Sequence, residues 1–338
     1  QAVCLKDPHR SSSTAVPTRT RVICTANLDF PAMLAAALIS CAAAAAAIAP
    51  PQVTSARTVA QHLWTTKQLF DTDIHAIVQC GSGPSEYRLA YMPCRNRGEI
   101  IRLMLEESKS SYELEVAGFR AWARDVKSTT PDGKLPCLRN YDGRGTDLCQ
   151  EQAITRFLAD KLGLAGSDAA ERAAVDAMYC FWFSTLRNNG VSHDGEHYSV
   201  AALKEADEGL SATSVPPYEA VFRLDPLSRA ERSLVALKRF EEVLGASKSG
   251  YLVGDGVTYP DLGLFYILYE LAEDDNVPDF AARFALPHCG AFLDRMSSRP
   301  QLADFLASPR RMPRYARDPS GSSTYLYVAG RASPEILE

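Results

Sequence analysis

Between Tyr87 and Gly163 the apolar positions change period several times. Leu89 and Tyr91 with their neighbours make a short extended stretch that Pro93 ends. From Gly98 to Ser108, Ile100, Ile101, Met104 and Leu105 recur as one face of an amphipathic helix, and Tyr112-Glu-Leu-Glu-Val116 alternates as a second strand. Asp142-Gly143 then sits between two apolar runs, around Leu138 and Leu148, as a hairpin turn would. Helical period returns at Ala153, Ile154, Phe157, Leu158 and Leu162 and stops at Gly163. The spacing therefore predicts β-α-β followed by β-β-α over 86–164, the size of one small domain.

After Gly166 the pattern is helical throughout, and 167–312 is predicted to be an all-helical domain. Ser167 can cap a helix carrying Ala173, Ala174, Ala177, Met178, Phe181 and Trp182, and Ser233 to Leu244 gives another with Leu234, Leu237, Phe240 and Leu244 on one face. Thr258-Tyr-Pro-Asp261 is a capping-box variant flanked by Val257 and Leu262, so a buried helix should start there. Residues 188–217 are expected to be a loop insert and 313–338 a flexible tail.

Residues 1–85 lack this grammar and are expected to be a disordered or low-complexity leader. Its alanine-dominated run from Leu34 to Ala49 is near the minimum length of a membrane span, but alanine contributes little transfer energy and no basic cluster flanks it on one side. Were Met33 a start, the run would resemble the apolar region of a signal peptide without its positive leader, giving a secreted or organellar alternative to a cytoplasmic location. Gly-Ser-Gly-Pro-Ser-Glu at 81–86 is expected to be a linker.

Composition narrows the chemistry. The 338 residues are 46% hydrophobic, enough for at least one full core. A formal charge of −5 gives no reason to expect nucleic acid, and no membrane partner is expected. Nine cysteines, at positions 4, 24, 41, 80, 94, 137, 149, 180 and 289, show no C-x-x-C and no regular spacing, which argues for reduced thiols and against a zinc site. His193-Asp-Gly-Glu196-His197 fits an inverted zinc-peptidase pattern, but Gly195 and the preceding Asn188-Asn189-Gly190 favour loop over the helix that zinc ligation there would need, and no metal is expected.

Four ordered strings complete the picture. Residues 87–102 (YRLAYMPCRNRGEIIR), Lys134-Leu-Pro-Cys-Leu138, Cys149-Gln-Glu-Gln-Ala-Ile-Thr-Arg-Phe-Leu158, and Tyr251-Leu-Val-Gly254 through Asp261-Leu262 resemble, in order and spacing, motifs of the glutathione S-transferases, most like their tyrosine (sigma, pi and mu) classes. The resemblance covers about 86–312. It implies an α/β thioredoxin-like N-terminal domain with a mixed four-stranded sheet, followed by an all-α domain. It also implies glutathione as co-substrate, small hydrophobic electrophiles as second substrates, and a homodimer.

By the same resemblance Tyr91 is the catalytic tyrosine and Arg97 the arginine that helps organise the sulfur site. Trp122, Lys127, Lys134, Leu135, Pro136, Gln150 and Glu151 match glutathione-binding positions, with Pro136 expected cis and Trp122 one residue out of register. Met92, Cys94 and Phe183 would wall the second-substrate pocket. Cys94 is also the candidate nucleophile of a thiol-transferase variant, and each lysine reads equally as a solvated side chain.

Glu151 departs from the family, which places serine there to grip the γ-glutamyl carboxylate at a helix N-terminus. A free glutamate would face that carboxylate with like charge, costing about 1 to 4 kcal/mol at contact. Either Glu151 swings outward or glutathione binding weakens. A non-catalytic, crystallin-like relative is the alternative reading, beside isomerase or peroxidase activity in the same site.

Overall fold

The computed structural model describes residues 51–66, 73–187, 200, 202–203, 227–312, 314–317 and 325–328. The alanine-rich run, the His193–His197 string and most of the 188–217 insert lie outside them. Among the described residues no helix is long and apolar enough to cross a membrane.

The elements foreseen between 86 and 164 are present. β3 (Tyr87–Tyr91), α2 (Asn96–Glu107), β4 (Tyr112–Ala117), β5 (Cys137–Arg139), β6 (Leu148–Cys149) and α3 (Glu151–Lys161) follow in chain order. β3 runs parallel to β4 and antiparallel to β5, and β5 runs antiparallel to β6. Period-two alternation gives each strand two faces. Leu89 of β3 and Leu138 of β5 join the main core with Ile100, Ile101 and Met104 of α2 and Ile154 and Leu158 of α3. On the other face, Ala90, Cys137 and Cys149 cluster with Leu135. Helical turns at Phe119–Ala121, Trp122–Val126 and Lys127–Thr129 bridge β4 and β5.

The sheet has six strands, not four. β1 (Gln52–Thr54), α1 (Ala56–Thr66) and β2 (His75–Cys80) arise within the stretch assigned to the leader. β2 pairs antiparallel with β4 over six residues, and β1 pairs parallel with β2, giving the order β1-β2-β4-β3-β5-β6. The driving pattern is Ala76, Ile77, Val78 and Cys80, all buried. β2 is therefore an interior strand, paired on both sides, and it ends at the Gly-Ser turn.

The helical half comprises α4 (Ala169–Trp182), a π-helical turn (Phe183–Arg187), α5 (Arg229–Ala246), α6 (Tyr259–Ala272), α7 (Phe280–Arg283), α8 (Pro287–Ser297) and α9 (Pro300–Leu306). Asp168, not Ser167, caps α4, its carboxylate accepting from the Ala170 and Glu171 amides at 2.8 and 2.9 Å, because carboxylate reaches both orphan donors at once. α6 starts at the expected capping box: Asp261 accepts from the Thr258 amide at 2.8 Å and from the Leu252 amide at 2.9 Å. α6 is apolar on all sides and almost wholly buried, as a helix at the centre of a helical domain must be. In the stretch assigned to the tail, β7 (Arg314–Arg317) and β8 (Tyr325–Val328) pair antiparallel, so part of it is a hairpin.

Candidate active site

Tyr91 ends β3, and its hydroxyl accepts a hydrogen bond from the Arg97 amide at 3.0 Å, in the first turn of α2. Gly98 lets the ring lie against that turn, since a Cβ there would come within 2.6 Å of the Tyr91 ring. Burial holds the Tyr91 phenol well above its ordinary range, so it stays protonated and keeps a proton to donate. A backbone amide fills its acceptor role, and its O–H has the Cys94 sulfur within hydrogen-bonding reach.

Cys94 lies against Tyr91, and burial pushes its thiol up to about 12 although Arg102 and Tyr91 act to lower it. At neutral pH it is a thiol and a poor nucleophile. The loop that carries it is pinned by Arg102, whose Nη2 donates to the Cys94 and Arg95 carbonyls at 2.8 and 3.1 Å. Arg97 is half-buried, and its bond to Tyr91 runs through its backbone amide rather than its guanidinium.

Glu151 corrects the expectation that it swings outward. It neither swings outward nor stands as a free charge: it is 3% exposed and held by Arg187 in a bidentate pair, with both N–O distances 2.9 Å. Nη2 of Arg187 also donates to Asn96 Oδ1 at 3.0 Å, tying the start of α2 to the start of α3. Burial alone would lower the Arg187 guanidinium, but the Glu151 carboxylate more than offsets it, so Arg187 remains a cation. Sequence reasoning missed Arg187 and Asn96. The signal was Glu151 itself, since a buried carboxylate at a helix start requires a cation, but its partner lies 36 residues away on the π-helical turn.

The remaining candidates form a second group. Trp122 packs with Ala117 and Val126, and Met92 and Leu135 pack against that cluster. The Leu135–Pro136 peptide is cis. Gln150, with φ +77°, turns the chain from β6 into α3, and its exposed amide donates to Asp132 at 3.0 Å. Lys127 and Lys134 are exposed, Lys127 with its stem alongside Gly133. Phe183 is half-buried, with its ring against Tyr179 and Trp182 at centroid distances of 6.1 and 6.4 Å, so it lies with its own helix. The sheet thus carries a tyrosine bonded by a helix-start amide, a cis-proline turn and a positive-φ residue that opens a second helix. Among the described residues no group of three or more His, Cys, Asp or Glu could hold a metal.

A mixed sheet with a cis-proline turn, joined to a helical domain, defines a thioredoxin-like domain with a helical partner. The chain belongs to the glutathione S-transferase family. It is 30% identical over 233 residues to glutathione S-transferase P of Bos taurus, covering 68% of this chain and 95% of that one. It is 28% identical over 229 residues to glutathione S-transferase 4 of Caenorhabditis elegans, covering 66% and 96%. Residues 226–309 match the family described as glutathione S-transferase, C-terminal domain. Among solved structures, the glutathione S-transferase from Ascaris lumbricoides is 26% identical, covering 67% of this chain and 100% of that one, with a TM-score of 0.49. The monomeric Na-GST-3 from the hookworm Necator americanus is 27% identical, covering 65% and 95%, with a TM-score of 0.47.

Proposed function

We propose that the protein is a glutathione transferase in which the Tyr91 hydroxyl donates to the glutathione sulfur and holds it as thiolate for attack on soft, small hydrophobic electrophiles. A free thiol of pKa about 8.5 is only a few per cent ionised at neutral pH. Lowering it by about two units needs roughly 2.7 kcal/mol of preference for the thiolate, the size of one good charged hydrogen bond with a helix N-terminus behind it. The observation that supports the reading is the Arg97 amide bond to the Tyr91 oxygen, which holds the hydroxyl at the start of α2 with its proton on the side of Cys94, where an incoming glutathione sulfur would compete for it.

Leu135, Gln150 and the Glu151 amide would hold the peptide part of glutathione, with Trp122, Lys127 and Lys134 around its glycine end. Met92 and Cys94 would border the electrophile, with Phe183 at the helical side. The non-catalytic alternative drew on the charge of Glu151, and its pairing with Arg187 supports the enzyme reading by supplying that charge with a cation. Tyr91→Phe should lower kcat for a chromogenic electrophile by tenfold or more with a smaller change in KM for glutathione. Unchanged turnover would sink the assignment. A cytoplasmic homodimer, as the family resemblance implies, belongs to the same reading and is checked by sedimentation.

A further inference from the structure

Two cysteines stand at the inner ends of both glutathione-facing turns. Cys137 follows Pro136 directly, and Cys149 directly precedes Gln150 and Glu151. They are register partners across the antiparallel β5–β6 ladder. Directly opposed residues in such a ladder have Cα atoms about 4.5 to 5.5 Å apart, inside the roughly 4.4 to 6.8 Å span that a disulfide bridges. Opposed residues also project to one face, and both side chains lie in the cluster of Ala90 and Leu135 and interact with each other. Both thiols are free.

We propose that Cys137 and Cys149 form a redox-active dithiol that closes to a disulfide by exchange with glutathione disulfide. Cys149 starts the exchange. It lies on β6, two residues long and at the sheet edge, and is 5% exposed where Cys137 is fully covered. Opening β6 breaks the short β5–β6 pairing and the contact of the Cys149 thiol with the Lys134 carbonyl, and loosens the Asp147 bonds to Arg139 and Asn140, after a loop whose residues 142–146 are all exposed. The Cys149 thiol gives up its proton and its sulfur attacks one sulfur of glutathione disulfide. The Cys149–glutathione bond forms, the glutathione S–S bond breaks, and one glutathione leaves with that proton. Burial raises the Cys137 thiol as it does Cys94, so Cys137 loses its proton only once β6 has opened and uncovered it, and its sulfur then attacks the Cys149 sulfur. The Cys137–Cys149 bond forms and the second glutathione leaves with the second proton. Two protein thiols are oxidised and one disulfide is reduced to two thiols, so atoms and electrons balance.

Closure staples the turn carrying Leu135 to the turn carrying Gln150 and Glu151, which makes the glutathione-binding frame responsive to the glutathione redox state. The choice of glutathione disulfide as oxidant rests on the proposed glutathione site. The pairing of the thiols does not.

The test incubates the reduced full chain in buffers of increasing glutathione disulfide at fixed glutathione, alkylates free thiols and maps the peptides. The peptides carrying Cys137 and Cys149 should be recovered joined, in a fraction that rises with the disulfide and returns to zero with dithiothreitol. Recovery of both as alkylated free thiols, in buffers where the exposed Cys180 carries glutathione, overturns the proposal. In the Cys137→Ser chain, Cys149 should retain one glutathione, and a free Cys149 there overturns the first step. A parallel series with bis(2-hydroxyethyl) disulfide separates the two readings. Joining by that reagent but not by glutathione disulfide overturns the oxidant assigned here, whereas failure of the reduced wild type to turn over electrophiles bears on the transferase reading alone.

Discussion

Arg187 is the residue on which the site's electrostatics turn. Its fork satisfies Glu151 and reaches Asn96, and it lies close enough to Tyr91 to lower the phenol while Glu151 raises it. Arg187→Met leaves a buried carboxylate without its cation, costing about 3 to 5 kcal/mol of stability. The same change should move the pH dependence of kcat/KM to higher pH, because the uncompensated charge disfavours the thiolate nearby. Adding Glu151→Gln should return the profile toward the wild type. A profile that stays displaced in the double variant would mean that the bidentate geometry, not the charge, is what matters. Tyr91 was singled out by the resemblance of residues 87–102 to the family's first strand and helix, and it stands at the last position of β3 beside the first turn of α2. Glu151 was legible as an anomaly only, since the sequence carries 36 lysines and arginines and nothing local selects Arg187 among them.

At the scale of elements, legibility followed the length of the periodic segment. α2, α3 and α5 carry two or more turns of apolar stripe and were placed to within a few residues, and the start of α6 was placed by its capping box. β2 was missed although it is well buried, because Ala76, Ile77 and Val78 form a continuous apolar run without the alternation that marks β4, beside a linker and an alanine-rich segment. Its presence changes the pH response. β2 brings His75 to 3.2 Å from Glu115 of β4, and Arg139 of β5 donates to the same carboxylate at 3.1 and 3.2 Å. Burial alone would raise Glu115, but hydrogen bonds from His75 and Arg139 more than offset it and bring the carboxyl to about 2, from an ordinary 4.5. A depressed acid stabilises the fold fully above its unfolded value, and the contribution drains away as pH falls from about 4.5 to about 2. The shift corresponds to at most about 3 kcal/mol. Urea unfolding of Glu115→Gln should therefore be less stable at neutral pH and lose less stability than the wild type between pH 4.5 and 2. Parallel pH curves for the two proteins would remove Glu115 from the acid response.

Across the whole molecule, the two domains meet through buried charge rather than apolar surface alone. Arg95, Glu99 and Arg102, at the start of α2, face Glu270 and Glu273 at the end of α6 and Arg311 beyond α9, and none is more than 6% exposed. Arg95 donates to Glu270 at 2.7 Å and to the Met312 carbonyl at 2.8 Å, while Arg311 bonds Glu99 at 3.1 Å and Glu273 at 2.6 Å. Three cations and three anions balance, so desolvation is offset only while all six are in place. The cluster is coupled to the active site through one step: Glu99 holds Arg102 at 2.9 and 2.7 Å, and Arg102 holds the Cys94 carbonyl. Removing one member leaves an unpaired charge in the interior and also loosens the loop between Tyr91 and α2. Arg311→Met should lower stability by about 3 to 5 kcal/mol, read as a reduced urea midpoint at unchanged slope. With Tyr91 as the proposed thiolate donor, it should also lower kcat/KM in conditions where the chain is still folded, because Arg102 holds the carbonyls of the loop between Tyr91 and α2. A variant with the wild-type midpoint would show that Arg95 alone carries the junction, and one that is destabilised but fully active would show that the charge cluster and the catalytic loop are independent.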